Sequence, residues 1–268
     1  CNILNKGTNS SVYAGTGGLL GEAMYGKTKI DNCIVRECNI EARKHETIEN
    51  AWDQNIGGLV GVAIWGSGLE LTNCDVLETN IVNQSIETDS CANAGGLVGV
   101  VSCSGYNDSN NLIYEIKNCN LVNTNIETNA GNLSGVLAMS SETPDHFKIS
   151  NCNLDNVNLN STADVYINSS TGGIAAEMQA AVEIKECNVI DSTIEAEGKT
   201  VGGVVGEIIS YNGSVIEGCK VYNTTIKNNV DQKGGTDAVG GIAAYVKETT
   251  IDKIIKYREI NGEFKERK

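Results

Sequence analysis

Proline is almost absent from this chain, with a single residue, Pro144, among 268, and aromatic residues make up only 5%. With 30 glycines and abundant Asn, Thr, Ile and Val, that scarcity reads as many short strands joined by turns, and long helices are not expected. Histidine occurs twice, at His45 and His146, and there is neither a Cys-x-x-Cys nor a His-Glu-x-x-His. A zinc site therefore has no support, and no nucleophile-elbow phrase marks a hydrolase. Basic residues are few, 20 Lys and Arg against 34 Asp and Glu, which gives a formal charge of −14. Such a balance repels nucleic acid phosphates and anionic membrane surfaces, so neither is expected as a partner. No apolar run reaches the roughly 18 to 20 residues of a spanning helix, so direct membrane insertion is not expected either.

What the chain does contain is a phrase repeated six times around a cysteine. Ile30-Asp-Asn-Cys33-Ile-Val35 returns at Leu71–Val76, Ile116–Leu121, Ile149–Leu154, Ile184–Val189 and Ile216–Val221. Seven residues after each cysteine stands an aliphatic residue (Ile40, Ile81, Ile126, Leu159, Ile194, Ile226). Four residues after it stands a turn-forming or acidic one (Glu37, Glu78, Asn123, Asn156, Asp191, Asn223). A glycine phrase, Gly-Gly-aliphatic-x-Gly or a relative, precedes each copy and starts at Gly17, Gly57, Gly95, Gly131, Gly172 and Gly202, with a seventh at Gly240. Self-similarity at intervals of roughly 30 to 45 residues predicts a solenoid whose units bury their apolar faces by stacking.

In the glycine phrase, Leu59, Gly61 and Ala63, or Val204, Gly206 and Ile208, alternate with other residues at the period of a strand and are expected to face the core. The cysteine and its plus-two aliphatic form a second short strand, and positions plus five and plus seven a third. Asn at minus one and Asn, Asp or Glu at plus four fall where the chain must corner. Three strands per unit separated by corners describe an all-β parallel β-helix of about seven coils. Its glycine pairs and Asn-Cys phrases stack as ladders, over residues 1–250. Residues 251–268 are strongly charged and are read as a C-terminal cap or a linker. Cys1-Asn-Ile3-Leu-Asn5 matches the tail of a repeat, so the chain is expected to start mid-repeat in a longer protein; a lipid-modified first cysteine is the competing reading.

The pairing of Gly-Gly-Leu-Val-Gly (Gly57–Gly61, Gly95–Gly99) with a downstream aliphatic-x-Asn-Cys-x-aliphatic phrase resembles the GLUG repeat of large bacterial cell-surface proteins. These include adhesin-like proteins and the non-catalytic regions of some immunoglobulin A peptidases. The resemblance runs from about Gly17 to Val246 and implies a scaffold at a cell surface, with no motif for chemistry. Copies four to six depart from it at Gly131-Asn132, at Gly172-Gly173-Ile-Ala-Ala, and where Glu186 or Gly218 replaces Asn.

Cys33, Cys74, Cys119, Cys152, Cys187 and Cys219 occupy equivalent positions and are expected to stack as a structural ladder of free thiols. Parallel Cβ atoms suit a disulfide poorly. Cys91 and Cys103 lie outside that column and form the one disulfide candidate. The two histidines read as solvated loop residues, and Asn107–Asn111 as a polar turn with calcium binding as the alternative. Outward acidic residues at plus eight (Glu41, Glu127, Glu195) are separated by Val82 and Asn160, which reads as a solvated face and disfavours a carboxylate pair for sugar chemistry. Among aromatics of a kind that stacks on sugars (Tyr25, Trp52, Trp65, Tyr106, Tyr114, Tyr211, Tyr245), Tyr25, Trp65 and Tyr106 are the ligand-binding candidates. The functional expectation is a non-catalytic extracellular segment of a secreted or surface-anchored bacterial protein, without cofactor or metal, acting as an adhesin or rigid stalk. Its partners would be a host or matrix glycoprotein or glycan, and further coils and domains of the same polypeptide. The alternatives are a passive spacer in a larger secreted peptidase and a carbohydrate-active β-helix enzyme.

Overall fold

The computed structural model describes residues 1–7, 14–44, 54–84, 92–102, 112–141, 147–163, 169–210, 213–229, 238–247, 249–252, 255–260 and 263–266. Every regular element among them is a β-strand, and the strands form four sheets. The chain visits these sheets in a fixed cycle. Asn80–Gln84 lies in the first sheet, Ala94–Gly95 in the second, Val98–Ser102 and Tyr114–Lys117 in the third, and Asn120–Val122 in the fourth; Asn125–Thr128 is back in the first. Each strand pairs in parallel with its equivalents one repeat earlier and later, as Ile81 does with Ile40 and Ile126. Stacked parallel sheets are therefore the architecture. One antiparallel pair, Ile255–Ile260 with Glu263–Glu266, adds to the end of the fourth sheet.

Four sheets replace the expected three strands per unit because the glycine pair is itself a corner. Gln54–Gly57 ends in the second sheet and Val60–Thr72 starts the third. A Cβ on Gly58 would lie 2.1 Å from the Gly96 oxygen and 3.0 Å from the Val76 side chain, so only glycine lets the two walls approach this closely. Inside the phrase the expected core positions are kept at Leu59, Ala63, Val204 and Ile208, but Val60 joins them and breaks the strict alternation. A Cβ on Gly61 would lie 2.4 Å from the Thr16 nitrogen on the next rung. The fourth glycine phrase is displaced as well. Ser134 pairs with Gly95 and Gly172, so Ser134-Gly135, not Gly131-Asn132, is the corner pair.

The core is a continuous column of rows, one residue per rung. Leu71, Ile116, Ile149, Ile184 and Ile216 form one row; Val76, Leu121, Leu154 and Val189 a second; Ile81, Ile126, Leu159 and Ile194 a third. All are fully buried, and each contributes roughly 1.5–3 kcal/mol by leaving water. These rows sit five residues apart in sequence because the chain turns the same corner twice. At minus one and plus four the backbone is left-handed, with φ of 51–54° at Asn32, Asn73, Asn118 and Asn151, and 47–53° at Glu37, Glu78, Asn123, Asn156, Asp191 and Asn223. Asn tolerates that conformation, and its amide also bonds along the stack, from Asn118 Nδ2 to Asn73 Oδ1 (3.1 Å) and from Asn156 Nδ2 to Asn123 Oδ1 (2.7 Å).

Cys1 is placed differently from the sequence reading. Asn2 pairs with Asn39 and the Cys1 oxygen accepts the Asn39 N–H, which sets Cys1 over Cys38 in the plus-five row rather than over Cys33. The two corners share one local pattern, so five residues of sequence cannot tell them apart. No helix among the described residues is long and apolar enough to cross a membrane.

Candidate functional site

The two longest strands, Leu20–Asp31 and Val60–Thr72, carry Tyr25 and Trp65 at a break in their pairing between Met24 and Gly26. Both residues have left-handed backbones, at φ 54° and 51°, and each is followed by a glycine with positive φ, Gly26 (94°) and Gly66 (71°). A bulky residue held there costs on the order of 1–3 kcal/mol and persists where its surroundings fix it. Here the corner turns both rings outward on adjacent rungs, where they stack with centroids 5.9 Å apart and planes inclined by 30°. Tyr25 is 59% exposed and Trp65 half-buried beneath it, with Met24 exposed alongside. Past the corner, Lys27 faces Gly68 across the ladder, Lys29 pairs with Glu70 at 2.6 Å, and Thr28 meets Ser67 at 3.4 Å. Burial raises the Glu22 carboxyl on the near side, while hydrogen bonds from Thr72 and Asn73 lower that of Asp31 on the far side. An exposed ring flanked by donors and acceptors suits a ligand with one flat apolar face and a polar rim.

Tyr25 and Trp65 are thus brought together, while Tyr106 lies outside the described residues, as do Trp52, Tyr211, His45, His146, Cys91, Cys103 and the 107–111 loop. Tyr114 is no surface ring, being 4% exposed with its centroid 6.2 Å from that of Phe147 inside the core. Tyr245 is exposed near the other end of the stack.

The six phrase cysteines do form one row, all free. Cys74, Cys119, Cys152, Cys187 and Cys219 are fully buried and Cys33, at the end, is half-buried. Each thiol donates to the carbonyl two residues before it, as Cys119 does to Lys117 (3.2 Å), and from Cys74 onward also to the preceding rung, as Cys119 does to Leu71 (3.7 Å). Burial pushes the Cys74 and Cys187 thiols up; the hydrogen bond to Cys152, then burial, does the same to Cys119. Cys152 and Cys219, which receive thiol hydrogen bonds, shift the other way. Among the described residues no Lys, Arg or His acts on these thiols, and burial in the core favours the neutral column. The plus-five row repeats the device with hydroxyls, Thr79, Thr124, Ser192 and Thr224 each donating to the carbonyl two residues back.

A buried polar row escaped the sequence reading. Asn93 Nδ2 donates to Asn55 Oδ1, and Asn132 Nδ2 to Asn93 Oδ1, both at 2.9 Å; Ser170 and Thr200 continue the row, joined at 2.9 Å. At that end Glu177 and Glu207 face each other on adjacent rungs, the carboxylate pair the sequence did not reveal. Asn132 and Gln179 donate to Glu177, while Ser170 and Lys199 bind Glu207, which is 6% exposed. These partners close both carboxylates into the scaffold. The signal was present as an Asn two residues before each of three corner pairs, at Asn55, Asn93 and Asn132. Among the described residues no group of three or more His, Cys, Asp or Glu converges as metal ligands would.

No family model matches the chain, and no curated protein matches it. Among solved structures, the crystal structure of a putative immunoglobulin A1 protease from Bacteroides ovatus is similar at 13% identity, over 82% of this chain and 78% of that one, with a TM-score of 0.30.

Proposed function

We propose that the chain is a parallel β-helix of about seven coils, akin to the GLUG repeat regions of bacterial surface proteins. In this reading it works outside the cell as an adhesive stalk with no catalysis of its own. The observation that carries this reading is the Tyr25–Trp65 stack, a strained aromatic pair on adjacent rungs with Tyr25 exposed over a half-buried Trp65. A rigid repeat scaffold that keeps such a pair in the open spends folding energy on display, which a passive spacer has no need to do.

The test is binding of the protein to an array of host glycoproteins, matrix proteins and polysaccharides at physiological salt, with Trp65→Ala as the control. Adhesion requires reproducible binding to one class that falls at least about tenfold in the variant, the equivalent of about 1.4 kcal/mol. Silence across the array sinks the adhesive reading and leaves the spacer within a larger secreted peptidase. Turnover of a polysaccharide, lost in Glu177→Gln or Glu207→Gln, would instead make the protein a carbohydrate-active enzyme.

A further inference from the structure

A cleft of about 380 Å³ opens on the outer face of the first sheet, far in sequence from the aromatic corner. Its lining has a simple origin. Three successive rungs each contribute the outward residues at plus eight and plus ten: Val82 and Gln84, Glu127 and Asn129, Asn160 and Thr162. The middle rung has the shortest connection to the second sheet, residues 129–132, against 85–93 and 162–169 on either side. Glu127 is held in place by Asn125 Nδ2 at 2.8 Å, and Asn125 belongs to an amide row that runs beside the cleft, bonded to Asn80 at 2.9 Å and to Asn158 at 2.7 Å. The next rung toward the N-terminus carries the Glu41–Arg43 ion pair in the same two rows, and the next rung toward the C-terminus carries Glu195 and Glu197.

We infer that this two-by-three array is a binding site for a neutral saccharide unit, distinct from the Tyr25–Trp65 pair. Three amides, one on each rung, and the Thr162 hydroxyl supply donors and acceptors, one carboxylate supplies a strong acceptor, and Val82 gives one apolar patch for a C–H face. The size lies at the small end of ligand pockets, which fits one or two sugar rings. An acidic sugar is disfavoured by Glu127 and by the formal charge of −14. A divalent cation is disfavoured because the rungs on either side of Glu127 place Val82 and Asn160 beside it, and the next carboxylates of that row, Glu41 and Glu195, stand two rungs away. The side chain of Glu127 is ordered before any ligand arrives, which lowers the entropic cost of using it.

The experiment is an NMR titration of the whole protein with glucose, galactose, mannose and N-acetylglucosamine, and separately with N-acetylneuraminic acid and with calcium chloride. The expected result is saturable shifts at the array with at least one neutral sugar. Glu127→Gln should weaken them about tenfold, as expected for a lost charge-assisted hydrogen bond, and Val82→Trp, which fills the cleft, should abolish them. Trp65→Ala should leave them unchanged, which separates this site from the adhesive reading of the aromatic corner. No saturable shift with any neutral sugar, shifts that survive Val82→Trp in a protein with parental circular dichroism, or a response to the acid or to calcium alone would overturn the assignment.

Discussion

A left-handed backbone costs an ordinary L-residue roughly 1–2 kcal/mol, and Asn151 holds one at φ 51° while its amide bonds Asn118. Asn151→Ala should therefore lower stability by about 1–2 kcal/mol, and Asn151→Gly by clearly less, since glycine removes the strain and loses only an exposed hydrogen bond. Urea midpoints of the two variants decide it, and equal losses would show that the amide ladder outweighs the backbone. The same corner on the first two rungs contains Asp31, whose carboxyl is held below its ordinary 3.8 by Thr72 and Asn73. A depressed folded value means stabilisation that is present above the unfolded value and lost as pH falls through the folded one. Midpoints followed from about pH 6 to about pH 2 should fall less steeply in Asp31→Asn than in the parent; parallel curves would remove Asp31 from the acid response.

Within a rung, the corner between the second and third sheets is the tightest element, and Ser134 sits there where Gly57, Gly95 and Gly172 sit on other rungs. Its hydroxyl is buried with no hydrogen-bond partner among the described residues, a state that costs about 1–3 kcal/mol. Ser134→Gly should raise the melting temperature, measured by calorimetry, whereas Ile126→Ala in the adjoining core row should cost about 2–5 kcal/mol. A fall in melting temperature for Ser134→Gly would mean that the glycine's backbone freedom costs more than the orphan hydroxyl. This element also marks where sequence reasoning stopped. The cysteine phrase was legible because its rows are buried one residue per rung, so Cys119, Leu121 and Ile126 recur at fixed spacing. The glycine phrase misled in part because its glycines answer to close backbone approach, as at Gly58 and Gly61, and not to the alternation of a strand. Substitution of one glycine by serine then moved the apparent start to Gly131. The carboxylates of Glu177 and Glu207 and the cleft around Glu127 depend on which rungs become neighbours at which register, and no single repeat contains that information. Tyr25 and Trp65 were legible for the opposite reason, since each directly follows its own copy of the phrase.

Taken as a whole molecule, the stack is best protected in its middle. Residues from Ile56 to Ile208 supply nearly all fully buried side chains, whereas Leu4, Leu19 and Ile34 on the first rung, and Val239, Tyr245 and Ile251 on the last, are exposed. Amide exchange followed by mass spectrometry should thus be slowest in the middle rungs and fastest at both ends; uniform protection would indicate one cooperative unit. Thiol labelling gives a second view, since Cys74, Cys119, Cys152, Cys187 and Cys219 should resist the reagent until denaturant is added. Early reaction of Cys152, in the centre, would contradict the gradient. Because each rung is joined to the next by backbone hydrogen bonds that run along the stacking direction, a pull on the two ends loads those bonds in series. The rungs then tear off singly, and each releases the slack of its own repeat. Successive cysteines are 41, 45, 33, 35 and 32 residues apart, so every rupture feeds out about 110 to 150 Å of chain. Under tension the stack would lengthen in steps and dissipate work at each one, the behaviour of a shock absorber.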